Sequence, residues 1–266
     1  MKAQVEESAA IDKSKAAPAT TKEKVWNEIV SWFWVILAFL VIEGTLVQAR
    51  VIPSGSMEDT VLIGDHLIVS RMGYDAGIPF TNIHVPLWRK PKRQQIIVFE
   101  APLEDQGNPD FIKRCMGLPG DHLKIVAGQV YVNGVRLNEP YVKHSADYET
   151  ASVENFPERA EELKESMKDR PEWLDELRQD TVNGELVVPP GKYFMMGDNR
   201  DNSNDGRFWG FVPRENIIGT PVMIYMSIDA PESVWNSSFG IQRFQTYASA
   251  IIHPGMVRWR RLGHIF

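Results

Sequence analysis

The sequence predicts a mainly β fold: one sheet-rich domain behind a single N-terminal transmembrane helix, interrupted by a partly helical insertion. Three observations carry this. An unbroken apolar run occurs once, near the N-terminus. Short β-branched segments then recur, separated by Gly, Pro and Asn turns. Between them lies a block, residues 144–180, whose charged composition suits broken helices, with Pro171 as a break.

Residues 1–24 are rich in Ala, Lys, Glu and Thr and show no apolar period, so they read as a flexible tail. Residues 25–49 read as a membrane anchor. From Ile29 to Ile42 the only polar residue is Ser31. Nineteen helical residues (29–47) rise about 28 Å, close to the thickness of a hydrocarbon core. Trp26, Trp32 and Trp34 sit where an interface would lie. Five lysines precede the run and Arg50 follows it, which puts the N-terminus in the cytoplasm and residues 50–266 on the outer face. The competing reading is a cleavable signal peptide ending at Val47-Gln48-Ala49. The long preceding segment with its four acids argues against it.

Beyond the anchor, strands are expected at 66–70 (HLIVS), 96–101 (IIVFEA), 122–128 (HLKIVAG) and 129–137 (QVYVNGVRL). Asn133-Gly134 between Val-rich flanks marks a hairpin. Strands resume at ELVVPP, KYFMM and IIGTPVMIYMS across residues 185–227. Residues 241–266 show no clean period apart from MVRWRRL.

Composition excludes several classes. The 266 residues are 43% hydrophobic and 24% charged, which is globular and not disordered. A net charge of −6 lacks the basic excess of a nucleic-acid binder, so no nucleic acid is expected. One cysteine, Cys115, excludes an intrachain disulfide and every multi-cysteine metal site. There is no HExxH, no phosphate loop and no GxSxG elbow. No metal and no cofactor is expected.

Three segments remain for chemistry. Pro53-Ser54-Gly55-Ser56-Met57 follows the anchor and alone reads as a turn. Lys113-Arg114 interrupts an apolar strand, where the alternative is an edge strand with snorkelling charges. GDNRDNSNDGR, residues 197–207, carries acids and amides in the manner of a calcium loop, but Val212 stands where an EF-hand needs a bidentate Glu. An Asx-rich turn with a local Asp–Arg pair, or a polar loop beside a catalytic group, stays open.

Together the three segments, SGSM just past an anchor, FIKRCMGLPGD and GDNRDNSNDGRFWGFVP, resemble the bacterial type I signal peptidases. The resemblance runs from about Arg50 to Met226 and is weakest over 144–180. VRWRRLG is similar to that family's closing strand. The resemblance implies a signal-peptidase/LexA-like catalytic domain over residues 50–266. It implies a membrane-bound serine endopeptidase that removes signal peptides after small residues at −3 and −1. Preproteins and the lipid bilayer are the implied partners, with interplay with the export machinery, at the bacterial cytoplasmic membrane.

By position in those motifs, Ser56 is the implied nucleophile and Lys113 the general base. Ser54 is an oxyanion-hole donor with the Ser56 N–H, and Ser203 orients the lysine. Arg114, Asp198, Asp205 and Arg207 form a supporting network. Ile52, Pro53, Met57, Leu67, Val98 and Ile112 are expected to line shallow substrate pockets. The chemistry is demanding, because a free lysine has a pKa of about 10.4 and must fall by two units or more to serve as a base near neutrality. Burial among apolar neighbours does this by penalising the ammonium form. This chain departs from the family pattern at Gly206, where a serine is usual, at Gln94-Gln95 and at Glu58-Asp59.

Overall fold

Helix α1 spans Thr21–Thr45 and is, among the described residues, the one helix long and apolar enough to cross a membrane. Its Trp32, Phe33, Trp34, Val35 and Ile36 side chains are exposed, as a lipid-facing surface requires. The computed structural model describes residues 21–78, 84–103, 109–144, 154–167, 170–236 and 240–266. The expected tail therefore lies outside the described residues up to 20, as do 145–153 and 168–169 of the expected insertion. The chain divides into two units, one ending at Ile42 and one comprising Glu43–Phe266.

Strand β1 (Val47–Val51) starts inside the segment expected to be anchor. β-branched Thr45 and the alternation of VQARV favour an extended chain there, and pairing with a second strand settles it. The remaining strands are β2 (Asp65–Ser70), β3 (Asp75–Gly77), β4 (His84–Pro86), β5 (Ile96–Glu100), β6 (Asp110–Gly117), β7 (His122–Val126), β8 (Gln129–Val132), β9 (Val135–Arg136), β10 (Thr181–Val182), β11 (Glu185–Val187), β12 (Lys192–Met196), β13 (Phe211–Pro213) and β14 (Ile217–Ser227). They form a seven-stranded sheet, β1-β2-β14-β5-β6-β12-β13, a five-stranded sheet, β10-β11-β7-β8-β9, and the ribbon β3-β4. Every pairing between these strands, among the described residues, is antiparallel. The anticipated hairpin is present, with Asn133 and Gly134 at φ 52° and 76° between β8 and β9.

Two registers matter for the site. β5 pairs β6 with Ile97 opposite Lys113 and Ile96 opposite Arg114. β6 pairs β12 with Arg114 opposite Met196, so the chain leaves β12 into the GDNR segment beside Arg114.

The described part of the charged insertion is helical, as expected. A 3-10 segment, Ala160–Met167, and helix α2 (Trp173–Asp180) turn Ala160, Leu163, Met167, Trp173, Leu174 and Leu177 into one core. That core also holds Leu123 and Val130 of the five-stranded sheet and Phe194 and Phe211 of the larger one. The insertion thus covers a sheet face that would otherwise be wet. A one-turn helix, α3 (Gly206–Trp209), follows the acid–amide loop.

The C-terminal region differs from expectation. VRWRRLG is not a strand: Trp259–Arg261 forms a 3-10 turn, flanked by isolated bridges Ile228 to Val257 and Met223 to Ile265. The Arg261 guanidinium holds the buried Asp65 carboxylate at 2.6 Å, and the chain turns to reach it. Helices α4 (Glu232–Asn236) and α5 (Ile241–Ile252) precede it. The apolar spacing Ile241, Phe244, Tyr247, Ala250, after Gly240 and before Pro254, was a readable helix signal.

Candidate active site

Ser56 sits in a tight turn just after β1. The Glu58 N–H donates to Gly55 O at 3.0 Å, and the Thr60 and Val61 N–H groups donate to Met57 O at 3.1 and 2.9 Å. Gly55 and the polar side chains around it suit such a turn. Lys113 comes from β6, in the middle of the larger sheet. The two meet: Lys113 Nζ lies 2.5 Å from Ser56 Oγ, and both residues are buried, at 4% and 8% exposure. Ser54 Oγ lies 3.5 Å from Ser56 Oγ.

Burial pulls the Lys113 pKa down from its ordinary value to about 8. The carboxylates of Asp205 and Asp198 oppose that fall, and the Arg207 guanidinium adds to it. A sizeable neutral fraction at neutral to alkaline pH is what a lysine base needs. Phe111 supplies part of the apolar wall, its ring centroid 5.3 Å from Nζ.

The expected supporting residues form two ion pairs. Arg114 grips Asp198 through Nε at 2.8 Å and Nη2 at 2.5 Å, stacks on Tyr141 at 3.6 Å, and donates to Gln94 O at 2.7 Å. Arg207 grips Asp205 through Nε at 2.8 Å and Nη2 at 2.9 Å. Asp205 also accepts from the Gly197 N–H at 2.9 Å. Burial pushes the Asp205 carboxyl up, but the Arg207 charge and these hydrogen bonds outweigh it and leave the pKa below the usual value. Asp198 and Asp205 are thus engaged by guanidinium groups and Asp201 lies 3.4 Å from His144 Nδ1, so the loop's acids serve local ion pairs beside the lysine.

Ser203 differs from expectation. It is buried at the site, yet its Oγ has no hydrogen-bond partner, and Lys113 is not bonded to it. Lys113 points its nitrogen at Ser56 instead. Space here is tight. A Cβ at Gly197 would come 2.2 Å from Ser203 Oγ and 2.5 Å from Ser56 O. Gly197→Ala is therefore expected to displace the serine turn and to cut turnover by about 100-fold or more, since an ångström of misplacement has that effect. Measuring kcat beside the melting temperature checks it; an unchanged kcat would show that the turn yields freely.

The expected pocket residues fall into one apolar cluster. Ile52, Met57, Leu67, Val98 and Ile112 pack with Val61, Val69, Ile96, Ile218 and Ile224. Met57 and Leu67 have 0% exposure and lie beneath the surface of this cluster. Pro53 is half-buried.

The departures from the family pattern have local explanations. Gln94 takes φ 61°, a glycine-favouring conformation, and its amide is held by Asn138 O at 2.7 Å and Tyr141 Oη at 3.0 Å. At Gly206 an added Cβ would meet Met195 O at 2.8 Å, so serine does not fit here without movement. Glu58 binds Lys143 Nζ at 3.3 Å. Sequence reasoning missed Lys143, which bridges Asn199 by backbone pairing, and the buried Arg200–Glu139 ion pair. Nothing local in the sequence signals that residues 139–143 return to the loop at 198–200.

A buried amine against a turn hydroxyl, in a sheet-rich domain that follows an apolar helix, is an arrangement that a serine hydrolase with a lysine base can use. Comparison with known proteins sharpens this. The family described as "Signal peptidase, peptidase S26" matches residues 25–226. A signal peptidase I of Pseudomonas aeruginosa is 36% identical over 218 residues, 76% of this chain and 72% of that one. One from Aquifex aeolicus is 32% identical over 258 residues, covering 86% and 94%. One from Buchnera aphidicola subsp. Acyrthosiphon pisum is 30% identical over 272 residues, covering 88% and 83%. The chain belongs to the signal peptidase family, peptidase S26, and is a membrane-anchored enzyme.

Proposed function

We propose that this chain cleaves N-terminal signal peptides from exported preproteins, with Ser56 as nucleophile and Lys113 as general base. The contact at 2.5 Å between a buried lysine nitrogen and the serine hydroxyl carries the reading. In the neutral form, the Lys113 amine accepts the Ser56 proton as Oγ attacks the scissile carbonyl. The oxyanion is met by the Ser56 N–H and the Ser54 hydroxyl. Lys113 then passes its proton to the departing amine, and in the second half-reaction takes one from the water that frees the acyl-enzyme. Arg114, Asp198, Asp205 and Arg207 hold β6, β12 and the serine turn in register. Ser203 fills the space beside Gly197 and Ser56 O.

The substrate lies as an extended strand, with small residues at −3 and −1 over the cluster that includes Ile52, Val98 and Ile112. The N-terminus is cytoplasmic, residues 25–49 anchor the chain, and residues 50–266 act on the outer face near the export machinery. Continuous pairing of Val47–Val51 with His66–Ser70 supports an uncleaved anchor, because a cut after Ala49 would remove three of the five paired residues of β1.

The test is cleavage of a preprotein with Ala-X-Ala before the cut, by full chain in detergent or lipid. Cleavage after the second alanine is expected, with kcat/KM rising through pH about 8 as Lys113 loses its proton. Failure to cut any such precursor between pH 7 and 10 would sink the reading.

A further inference from the structure

Asn199 is buried against the serine turn, at 1% exposure. Its backbone N–H donates to Ser56 O at 3.1 Å. Its side-chain nitrogen lies 3.2 Å from Gly55 O and 3.3 Å from Glu58 Oε2. Both neighbours are acceptors, so only the NH2 end of the amide fits there, and chemistry fixes its orientation. Gly55 O also accepts from the Glu58 N–H at 3.0 Å, so two donors hold this carbonyl.

The Gly55 carbonyl and the Ser56 N–H belong to one peptide unit. In a planar trans peptide they point in opposite directions. Holding the carbonyl toward Asn199 therefore turns the Ser56 N–H away from it. Among the described residues that N–H donates to no acceptor.

We infer that Asn199 is a positioning residue for the oxyanion hole: it sets the Gly55–Ser56 peptide so that the Ser56 N–H meets the developing oxyanion. Its bond to the carbonyl also polarises the peptide and strengthens the N–H as a donor. Glu58, itself held by Lys143 Nζ at 3.3 Å, keeps the amide in place. The inference rests on Ser56 being the nucleophile.

Asn199→Asp tests it in the full chain. The variant keeps the shape and the backbone N–H but sets an acceptor against Gly55 O and Glu58. The expected result is a kcat lowered about 10- to 100-fold, below the loss of a direct oxyanion donor, with KM within about threefold. Affinity for a peptide aldehyde, which forms a tetrahedral adduct on Ser56, should fall in step with kcat. Binding of an uncleavable peptide with proline after the cut should not change, and kcat is compared on the plateau above the pH limb, because the new carboxylate raises the Lys113 pKa as Asp198 and Asp205 do. An unchanged kcat, or equal weakening of both ligands, would overturn the inference.

Ser56→Ala in the same assay separates the two levels. If it still cleaves, the nucleophile reading fails and takes this inference with it. If it is inert while Asn199→Asp keeps full kcat, the inference alone fails. Should Asn199→Asp not melt cooperatively, Glu58→Ala decides, because that side chain is 43% exposed and its removal is expected to leave a cooperative melt. A kcat lowered several-fold at constant KM supports the role, and an unchanged kcat overturns it.

Discussion

Lys113→Met is expected to lose at least about 1,000-fold in kcat/KM while making the protein more stable at pH 6. The activity loss follows from removing the group proposed to take the Ser56 proton. Ser56→Ala should lose as much, and the double variant little more, because nucleophile and base act as a unit. The stability gain follows from linkage. Lys113 ionises near its ordinary value of 10.5 when unfolded and at about 8 when folded, so folding penalises its proton. Below pH 8 the penalty is complete, and the shift corresponds to roughly 3 kcal/mol. Between pH 8 and 10.5 the wild type recovers it, and above that range nothing remains. Methionine fills the same apolar space with no charge to desolvate. The variant's melting temperature should exceed that of wild type at pH 6, and the gap should narrow steadily toward pH 10. Groups that do not interact with Lys113 cancel in the difference, and Asp205, whose carboxyl Lys113 helps to hold low, keeps its Arg207 partner in both proteins. A variant equally destabilised at both ends would mean that Lys113 is not held in a dry site.

Much of this was legible in the sequence, and the reason is physical. Strands with alternating or β-branched composition specify themselves locally, so β2, β5, β7, β8 and β14 fall where their patterns put them. The apolar run fixes α1 because a helix apolar on every side needs either a protein core or lipid around it, and here the side chains are exposed. Ser56 and Lys113 were legible only as members of known motifs, for nothing in either segment alone says that 57 positions of chain close to a 2.5 Å contact. What failed was long-range. The exit of α1 into β1 depends on pairing with β2, and the turn at Trp259–Arg261 depends on a buried acid, Asp65, far away in the chain. Ser203 shows the same limit: its place in the site was readable, its lack of a partner was not.

Arg207→Met should unfold the protein more easily than any other single change in the polar network, with a loss of about 3–5 kcal/mol. The guanidinium is buried, serves Asp205 through two nitrogens, and donates to Arg200 O at 2.7 Å. Its loss leaves the Asp205 carboxylate buried with the Gly197 N–H and the nearby Lys113. The second consequence is electrostatic and points to the site. Arg207 holds the Lys113 pKa down while Asp205 holds it up. Removing Arg207 should move the alkaline limb of kcat/KM above pH 8, so that activity at pH 7 falls further than at pH 10. Asp205→Asn should move the limb the other way. Combining the two substitutions should restore part of the stability lost by Arg207→Met, because it removes an unpaired buried charge and does not add one. Thermal melts of the two single variants and the double, with a pH profile for each that folds, test the account. A limb that stays put in both single variants would confine the Asp205–Arg207 pair to holding the loop, with no hand in setting the base.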